Sequence, residues 1–466
     1  MLGVFSSVFA ILTAAIAVTL FPPPVLTTDT DARCICVPGH ECWPSEDTWT
    51  TSNDTLGGNL VAPTPSAAPC HDSAFGDYKA TTCSQLQEGW TLPDTHYATS
   101  SSLMAPFFAN QSCDPFAGRS SRCIIGAYVS HAVDVRCADH VRRALASAQR
   151  HTVRIVIRNT GHDYNAKSPG AGSLGLWMHN SKDIRIADYE DAHYKRKAMR
   201  MGAGVQGFEA YAAAHKENLA VVGGECPTVG LVGGYTQGGG HSALGSKYGL
   251  AADQWEVVDG RGRHLIATRD QYADLFWALS GGGGGTYGVV VSMTVKAHTD
   301  PPTSGGNLTF TSNGISQDHF WEAINAYHES LPAIVDEGIM SVSAFSNTSF
   351  AITPMTGPGV TAERMEELLQ PLITKLEDLN IDYTKVIRQF PSYYDEFNAM
   401  FAPIQVGIAQ YGGRYFHLKE SYYGVNYEKL SSVKDKYDPA HVFYALTAVG
   451  SDYWVPQDDA RLCRAV

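Results

Sequence analysis

Three glycine-rich segments constrain this chain more than any other feature of its sequence: residues 161–175, 223–249 and 281–288. Each is bounded by patterns typical of strands or helices, so the glycines gather where those elements end. Glycine permits positive φ and lets backbone N–H groups approach a ligand closely. Successive N–H groups in such bends bind anions, pyrophosphate among them. The three segments together predict one buried site for a phosphate-bearing cofactor; three independent surface loops are the alternative.

The glycine spacing disfavours two common nucleotide sites. GAGVQG, at Gly202–Gly207, has the GxGxxG spacing of dinucleotide-binding folds. It follows a short strand-like run, however, and no acidic residue is well placed after the helix that it opens. The lysine-containing P-loop pattern is absent from the sequence. We therefore expect neither a nicotinamide cofactor nor a nucleoside triphosphatase.

Two reactive side chains lie inside the glycine segments: His162 in TGHDY and Cys226 in GGECPTVG. Taken alone, such a histidine is usually a capping or core residue, as we interpret His179. A lone cysteine is usually a small buried hydrophobe. Because each belongs to a wall of the same predicted pocket, the pair indicates two covalent links to one cofactor ring.

The chain has 466 residues, enough for two domains or for one large α/β unit with an elaboration. Its formal net charge is −13, and it has no extended basic run. Nucleic acids and anionic membranes bind clustered Lys and Arg. We therefore expect a small-molecule partner, with no nucleic acid and no bound metal, and the sequence leaves the oligomeric state open.

The N-terminus is typical of a secretory signal peptide. Residues 1–21 carry no charged side chain and are followed by three prolines. A membrane anchor is the alternative, because the usual basic residue before the apolar core is missing. We expect cleavage, no membrane contact afterwards, and a location in the secretory pathway, either secreted or within an endomembrane compartment.

Residues 22–120 form a cysteine-rich arm that we expect to be mostly loop. Eight of the ten cysteines are Cys34, Cys36, Cys42, Cys70, Cys83, Cys113, Cys123 and Cys137. An even cluster behind a signal peptide predicts a disulfide framework of open connectivity, and the lack of paired CxxC spacing disfavours zinc. Cys226 and Cys463 lie far from this cluster. The N-x-S/T sequons that predict glycosylation are at Asn53, Asn110, Asn307 and Asn347.

Helix-like and strand-like patterns alternate after the arm. VDVRCADHVRRALASAQRH predicts a helix and TVRIVIRN a strand, while WEVVDGRGRHLIAT predicts a hairpin. Beyond His298, strands such as SFAITPM mix with two amphipathic helices, DHFWEAINAYHESLPAIV and AERMEELLQPLITKLEDL. We therefore predict a first domain at 121–298, a second at 299–422, and a C-terminal return to the first at 423–466.

Several long motifs carry a resemblance to a known family. RNTGHDY, GECPTVGLVGGYTQGGGHSALGSKYGLAADQ, DLFWALSGGGGGTYGVVVSMTVKAH and YGVNYEKLSSVKDKYDP resemble the berberine-bridge-enzyme-like oxidases of the vanillyl-alcohol-oxidase type. That resemblance implies an α+β fold, with a PCMH-type FAD-binding domain of two subdomains and a substrate domain whose antiparallel sheet is covered by helices. CICVPGHECWPS and MAPFFANQSCDPF are similar to a secreted fungal branch that includes isoamyl-alcohol-oxidase-like proteins and the chanoclavine synthases of ergot alkaloid biosynthesis.

The resemblance also implies a cofactor and a reaction. FAD is joined through a histidine to its 8α carbon and through a cysteine to C6, and His162 and Cys226 match those positions. The reaction is hydride transfer from a substrate carbon to flavin N5, usually with reoxidation by O2. The further cofactor-binding residues that we expect are Gly161, Asp163, Tyr164, Gly233, Gly234, Gly288 and Asn426.

The chain departs from the family in its second domain. GGRYFHLKE runs almost directly into SYYGVN, where relatives have a long segment that carries their catalytic base. We therefore assign no base and name Glu420, Tyr422 and Tyr423 as candidates. A shortened enzyme and an incomplete gene sequence would look alike here. An active oxidase and a secreted flavoprotein without catalytic activity are the two functional hypotheses.

Overall fold

The computed structural model describes residues 34–102, 104, 112–165, 167–250, 254–401, 419–459 and 461–465. The predicted signal peptide, the sequon at Asn110 and most of the GGRYFHLKE junction lie outside these residues. Within them, no helix combines the length and the apolar character that a membrane span requires.

The helices and strands follow each other along the chain with many short connections. The helices are α1 (Glu46–Thr55), α2 (Ala80–Gly89), α3 (Asp94–Tyr97), α4 (Ala138–Arg150), α5 (Gly207–His215), α6 (Gly245–Tyr248), α7 (Ala273–Leu279), α8 (Gln317–Asp336), α9 (Ala362–Asp378), α10 (Tyr393–Met400) and α11 (Tyr427–Tyr437). The strands are β1 (Leu60–Val61), β2 (His131–Asp134), β3 (Arg154–Arg158), β4 (Ser173–Trp177), β5 (Ile184–Glu190), β6 (Lys195–Gly202), β7 (Leu219–Val221), β8 (Gln254–Asp259), β9 (His264–Thr268), β10 (Gly288–Thr299), β11 (Thr303–Thr311), β12 (Met340–Phe345), β13 (Ser349–Pro358), β14 (Tyr383–Phe390), β15 (Trp454–Pro456) and β16 (Leu462–Arg464).

Two sheets build the first region. One has the order β1-β2-β4-β3, with β2, β4 and β3 parallel. The other has the order β5-β6-β10-β8-β9 and is antiparallel, with β7 also paired to β10. The predicted helix before TVRIVIRN is confirmed as α4, whose buried stripe includes Val141, Leu145 and Ala148 at helical spacing. The sheets, α4 and α11 contribute to one large apolar core.

A second region, residues 299–401, has its own core. Its antiparallel sheet has the order β12-β13-β11-β14, and α8 and α9 contribute apolar residues to that core. Both predicted amphipathic helices are confirmed; α9 buries Met365, Leu369, Leu372 and Leu376 along one stripe. The structure adds β11 and β14, which the sequence patterns did not predict. The α+β class of the fold is therefore confirmed.

The disulfides correct the expected grouping of cysteines. The bonds join Cys34 to Cys463, Cys36 to Cys42, Cys70 to Cys83, and Cys113 to Cys123. The remote Cys463 therefore replaces Cys137 in the framework, and Cys137 is free and exposed. The reason is tertiary: Cys34 lies across an antiparallel bridge from Cys463, beside the hairpin of β15 and β16.

The expectation of a mostly loop-like arm was also wrong in part, because α1 and α2 lie there. Ser45 caps α1 by accepting a hydrogen bond from the Thr48 amide, and Trp49 is buried. Of the sequon residues, Asn347 is exposed in the turn between β12 and β13. Asn307 lies in β11 with a buried side-chain oxygen. Asn53 accepts a hydrogen bond from the Leu60 amide. Glycosylation at these positions stays a prediction.

Candidate functional site

One cavity of about 590 Å³ lies where the three glycine segments meet. Its volume is within the range of about 300–1,000 Å³ that is usual for small-molecule sites. Its walls come from the ends of β3 and β10, the loops that follow β3 and β7, the loop before β10, and residues 443–445. The predicted residues that line it are Gly161, His162, Asp163, Tyr164, Cys226, Gly233, Gly234 and Gly288.

Direct contacts join the three glycine loops to one another. The Gly283 amide donates to the Gln237 carbonyl at 2.8 Å, and the Gly230 amide donates to Thr160 Oγ1 at 3.3 Å. A Cβ added at Gly284 would lie 2.8 Å from the Gly234 Cα, closer than real Cβ atoms approach backbone. Glycine is therefore required at Gly284 for the second and third loops to meet. The expectation of one pocket, rather than three independent loops, is confirmed.

The first loop owes its shape to Gly161 and Asp163. Gly161 has φ of +90°, and a Cβ there would lie 2.6 Å from the Arg158 guanidinium. The Asp163 carboxylate accepts hydrogen bonds from the amides of Asn165 and Ser168, both at 2.7 Å. Asp163 therefore holds the loop in place from the cavity wall. Tyr164 lines the same wall and is 43% exposed.

His162 is held by a neighbouring hydroxyl. Its Nε2 lies 2.8 Å from Oγ1 of Thr228. Burial, followed by the positive charge of Arg158 and the proximity of His96, lowers the pKa of His162 to about 4. The imidazole is therefore neutral at ordinary pH and keeps one ring nitrogen with a free lone pair.

Cys226 approaches the same hydroxyl from the second loop. Its thiol is free and half-buried, and Sγ lies 3.6 Å from Thr228 Oγ1. Each of the two predicted linkage residues is therefore in hydrogen-bonding contact with Thr228 and borders the cavity. Thr228 itself was not predicted, although it stands in the quoted GECPTVG motif.

The remaining predicted glycines differ in their local roles. A Cβ at Gly233 would lie 2.7 Å from Asn159 Nδ2, whereas a Cβ at Gly234 would meet no protein atom within 4 Å. Gly234 thus presents open backbone to the cavity. A Cβ at Gly288 would lie 2.6 Å from Val257 Cγ2, so this glycine allows β10 to pack against β8.

Sequence reasoning missed two lysines at this site. Lys167 lines the cavity; burial lowers its pKa, and no salt bridge links it to a carboxylate within the part of the chain that the structure describes. Lys434 is buried on α11 and donates to the carbonyls of Thr286 and Phe443 at 2.8 and 2.7 Å. It also pairs with Asp438 at 2.6 Å. Lys434 therefore ties the third glycine loop to the last wall segment, a role that requires tertiary contacts and leaves no sequence signal.

The geometry gives little support to the three candidates for a catalytic base. The Tyr423 hydroxyl donates to the Thr447 carbonyl at 3.0 Å, and burial with the neighbouring Tyr427 and Tyr422 raises its pKa to about 12. Tyr422 is 52% exposed. The Glu420 side chain lies outside the described part of the chain. Asn426 is exposed in a short turn and does not line the cavity, and its cofactor contact stays a prediction.

Comparison with known proteins identifies the family. A model of an FAD binding domain matches residues 129–268, and a model described as berberine and berberine like matches residues 397–450. FAD-linked oxidoreductase ZEB1 of Gibberella zeae is 46% identical over 82% of this chain and 69% of its own length. FAD-linked oxidoreductase sor8 of Hypocrea jecorina is 38% identical over 94% of each chain. The chain belongs to the berberine-bridge-like FAD-linked oxidoreductases.

Solved structures agree with this family. The VAO-type flavoprotein MtVAO615 from Myceliophthora thermophila superposes with a TM-score of 0.88 at 35% identity, covering 93% of this chain and 100% of that chain. Glucooligosaccharide oxidase from Acremonium strictum, described with a 6-S-cysteinyl, 8α-N1-histidyl FAD, shares the fold with a TM-score of 0.58 at 16% identity, covering 70% of this chain and 93% of that chain. The predicted VAO-type, PCMH-type FAD-binding fold and the enzyme class are thus confirmed.

One difference from the berberine-bridge-like relatives concerns length. The alignment with sor8 spans 546 positions, more than the 466 residues of this chain, although it covers 94% of each protein. That relative therefore has residues without a counterpart here, as expected for a shortened chain.

The cavity fits the FAD of this family. Asn159 Oδ1 and Gln237 Oε1 are buried at its wall and accept no hydrogen bond from any described residue. Donor groups of FAD, such as its hydroxyls, would satisfy these two acceptors. The open glycine backbone at Gly234 and the positive φ at Gly161 suit a pyrophosphate. We therefore interpret the cavity as the FAD site.

Proposed function

We propose that the protein is an FAD-dependent oxidase of fungal secondary metabolism, located in the secretory pathway, with FAD bonded to His162 and Cys226. The observation that carries this proposal is that His162 and Cys226 both line a glycine-walled cavity and both contact the hydroxyl of Thr228. A structural histidine or cysteine has no reason to border the same ligand-sized cavity. The four disulfides support an oxidising compartment.

The residues of the cavity have separate roles in this proposal. When bound, FAD supplies the redox chemistry by accepting a hydride from a substrate carbon and passing the electrons to O2. Backbone at Gly161, Gly233 and Gly234 holds the pyrophosphate, and the two covalent links fix the ring. The ammonium of Lys167 stabilises negative charge at the cavity wall. Asp163 maintains the shape of the first loop.

The substrate also has to lose a proton, from oxygen or nitrogen, to a base near the cavity. Tyr423 is a poor base, because its hydroxyl is engaged and its raised pKa disfavours the phenolate. Tyr422, on the adjacent exposed turn, is the candidate that mutagenesis can test first. Glu420 is the third candidate and needs the same test.

The substrate class rests on resemblance. We propose oxidation of an alkaloid amine with ring closure, as in the chanoclavine synthases of ergot alkaloid biosynthesis; a small alcohol of the isoamyl type is the alternative. The motifs CICVPGHECWPS and MAPFFANQSCDPF support this branch. Adding each substrate class under anaerobic conditions should bleach the yellow flavin with the true substrate and leave it unchanged with the other.

Acid precipitation tests the cofactor assignment. Purified protein should be yellow, and the precipitate should keep the flavin. His162→Ala should leave the cysteinyl link alone, Cys226→Ala the histidyl link alone, and the double variant none. Cys137→Ser changes the other free cysteine, which is exposed and does not line the cavity, and should keep both links. Quantitative release of flavin from the wild-type protein would contradict the covalent assignment.

One observation favours a second function, a flavoprotein that binds FAD without turning over a substrate. Within the described part of the chain, no residue between 299 and 401 lines the cavity, and the sor8 alignment is longer than this chain. Covalent flavin with no bleaching by either substrate class would favour this second function. Bleaching by one class with O2 consumption would exclude it.

A further inference from the structure

Thr228 occupies the centre of the contact between the two proposed linkage residues. Its hydroxyl lies 2.8 Å from His162 Nε2 on one side and 3.6 Å from Cys226 Sγ on the other. His162 Nδ1 makes no hydrogen bond with any described residue, and its ring borders the cavity. The two ring nitrogens are thus distinguished: Nε2 is occupied by Thr228, and Nδ1 is free.

Hydrogen bonds from the start of α5 fix the position of Thr228. The Phe208 amide donates to the Pro227 carbonyl at 2.9 Å, and the Gly207 amide donates to the Val229 carbonyl at 3.1 Å. Between them, Gln206 Nε2 donates to the Thr228 carbonyl at 2.8 Å, and Gln206 is 1% exposed. Gln206 and Gly207 belong to the GAGVQG motif. That motif therefore holds the cysteine loop against the start of α5.

The Thr228 hydroxyl can link His162 and Cys226 through a chain of two hydrogen bonds. Only one direction of donation along this chain leaves both Nδ1 and the sulfur able to react. If Nε2 carries the proton, it donates to Thr228 Oγ1, and the Thr228 hydroxyl in turn donates to the Cys226 sulfur. In the opposite direction, the hydroxyl would donate to Nε2, and Nδ1 would carry the proton and lose its lone pair. A thiolate accepts hydrogen bonds but does not donate them. Donation from His162 to Thr228 and from Thr228 to Cys226 therefore leaves both Nδ1 and the sulfur available as nucleophiles.

We propose that Thr228 is a positioning residue for covalent attachment of the flavin: it holds His162 in the Nε2–H tautomer, so that Nδ1 forms the bond, and it orients the Cys226 sulfur. This inference rests on the proposed function, because it concerns the links assigned there. Hydrogen bonding at one ring nitrogen is a general way in which proteins decide which nitrogen reacts.

Histidyl attachment replaces a C–H bond of the flavin with a C–N bond to His162. Nδ1 forms one bond to the 8α carbon of the flavin, and one C–H bond of that methyl group breaks. The electron pair of the C–H bond reduces the ring, and its proton passes to solvent. The Nε2 proton leaves through the Thr228 hydroxyl, which restores a neutral imidazole. Dioxygen then takes two electrons from the reduced ring and two protons from solvent, which replace the two released above, and becomes hydrogen peroxide, so the flavin ends oxidised and linked.

Thr228→Val tests this role, because valine keeps the branched shape and removes the hydroxyl. We expect the histidyl link to form roughly tenfold more slowly, as for loss of one hydrogen bond to a reacting group. Thr228→Ser restores the hydroxyl and should restore the rate. The measurement is mass spectrometry of the peptides around His162 and Cys226 over time after purification, with the flavin absorbance of the folded protein as the sign that FAD is bound. If the valine variant fails to fold, Thr228→Ala is the second test.

The outcomes separate this inference from the proposed function. Slow histidyl attachment in the valine or alanine variant, with rescue by serine, would support it. A wild-type protein with both links and a Thr228→Val variant that attaches at the same rate would overturn the role of Thr228 alone. A wild-type protein without a histidyl link would overturn both the covalent assignment and this inference.

Discussion

The first region and the second region of this protein differ in where they place polar groups. The first places them around a cavity: Asn159, Gln237 and Lys167 line it, and Lys434 supports its walls. The second has an apolar core between its sheet and two helices, with close contacts among aromatic rings such as Phe310 and Phe350. Polar groups buried around open space indicate ligand binding. An apolar core without such a cavity indicates a part of the fold that contributes stability.

The boundary between the two regions contains a buried carboxyl group. Glu396, on α10, is fully buried and accepts a hydrogen bond from Thr356 of β13 at 3.0 Å. On the same helix, Tyr393 and Phe397 contact the ring of Tyr211 in α5. The regions are therefore joined by an apolar contact that includes one titratable group.

The largest effect should come from breaking the network that supports the cavity. Lys434→Met leaves Asp438 buried without its cation, which we expect to cost about 3–5 kcal/mol of the free energy of unfolding. It also removes the donor that holds the carbonyls of Thr286 and Phe443. The free energy of unfolding, measured in urea, and the content of acid-stable flavin should therefore both fall.

Lys436→Met is the matched control on the same helix. Lys436 pairs with Asp274 at the surface, where its side chain is 58% exposed. An exposed pair contributes about 0–1 kcal/mol, so stability and flavin content should hardly change. Equal effects of the two substitutions would show that the buried network does not support the cavity.

The sequence predicts more of the first region than of the second, because local patterns determine some elements and tertiary contacts determine others. TVRIVIRN and the glycine motifs predicted β3 and the cavity, because local patterns and backbone requirements determined them. β11 was missed: its Gly305 weakens the strand pattern, and the tight tertiary contact at this position, where a Cβ would lie 3.1 Å from Glu396 Cγ, is not visible in the sequence. The bond of Cys34 to Cys463 and the role of Thr228 also depend on contacts between distant or folded segments, which residue patterns do not encode.

A smaller, pH-dependent effect is expected at the boundary. Burial raises the pKa of Glu396 to about 8 from its ordinary 4.5. Between those values the folded protein keeps the proton that the unfolded chain has released. The stability that this group provides is therefore present at low pH and is lost as pH rises from about 4.5 to about 8.

Glu396→Gln removes this titration and keeps an oxygen that can accept from Thr356. Relative to wild type, the variant should gain on the order of 3 kcal/mol between pH 5 and pH 8. Urea unfolding at the two pH values measures the change. If wild type and variant respond to pH in parallel, Glu396 does not titrate in this range.

The smallest effect is expected from the same substitution, isoleucine to valine, made once in each region. Ile352, in β13, and Ile155, in β3, are both fully buried, but Ile155 also lines the cavity. Replacing either with valine should lower the free energy of unfolding by about 0.5–1.5 kcal/mol. Ile155→Val should in addition reduce the fraction of protein with acid-stable flavin, because it changes a wall of the FAD site. Ile352→Val should leave that fraction unchanged. A loss of flavin in Ile352→Val equal to that in Ile155→Val would mean that the second region supports the cofactor site as directly as the first.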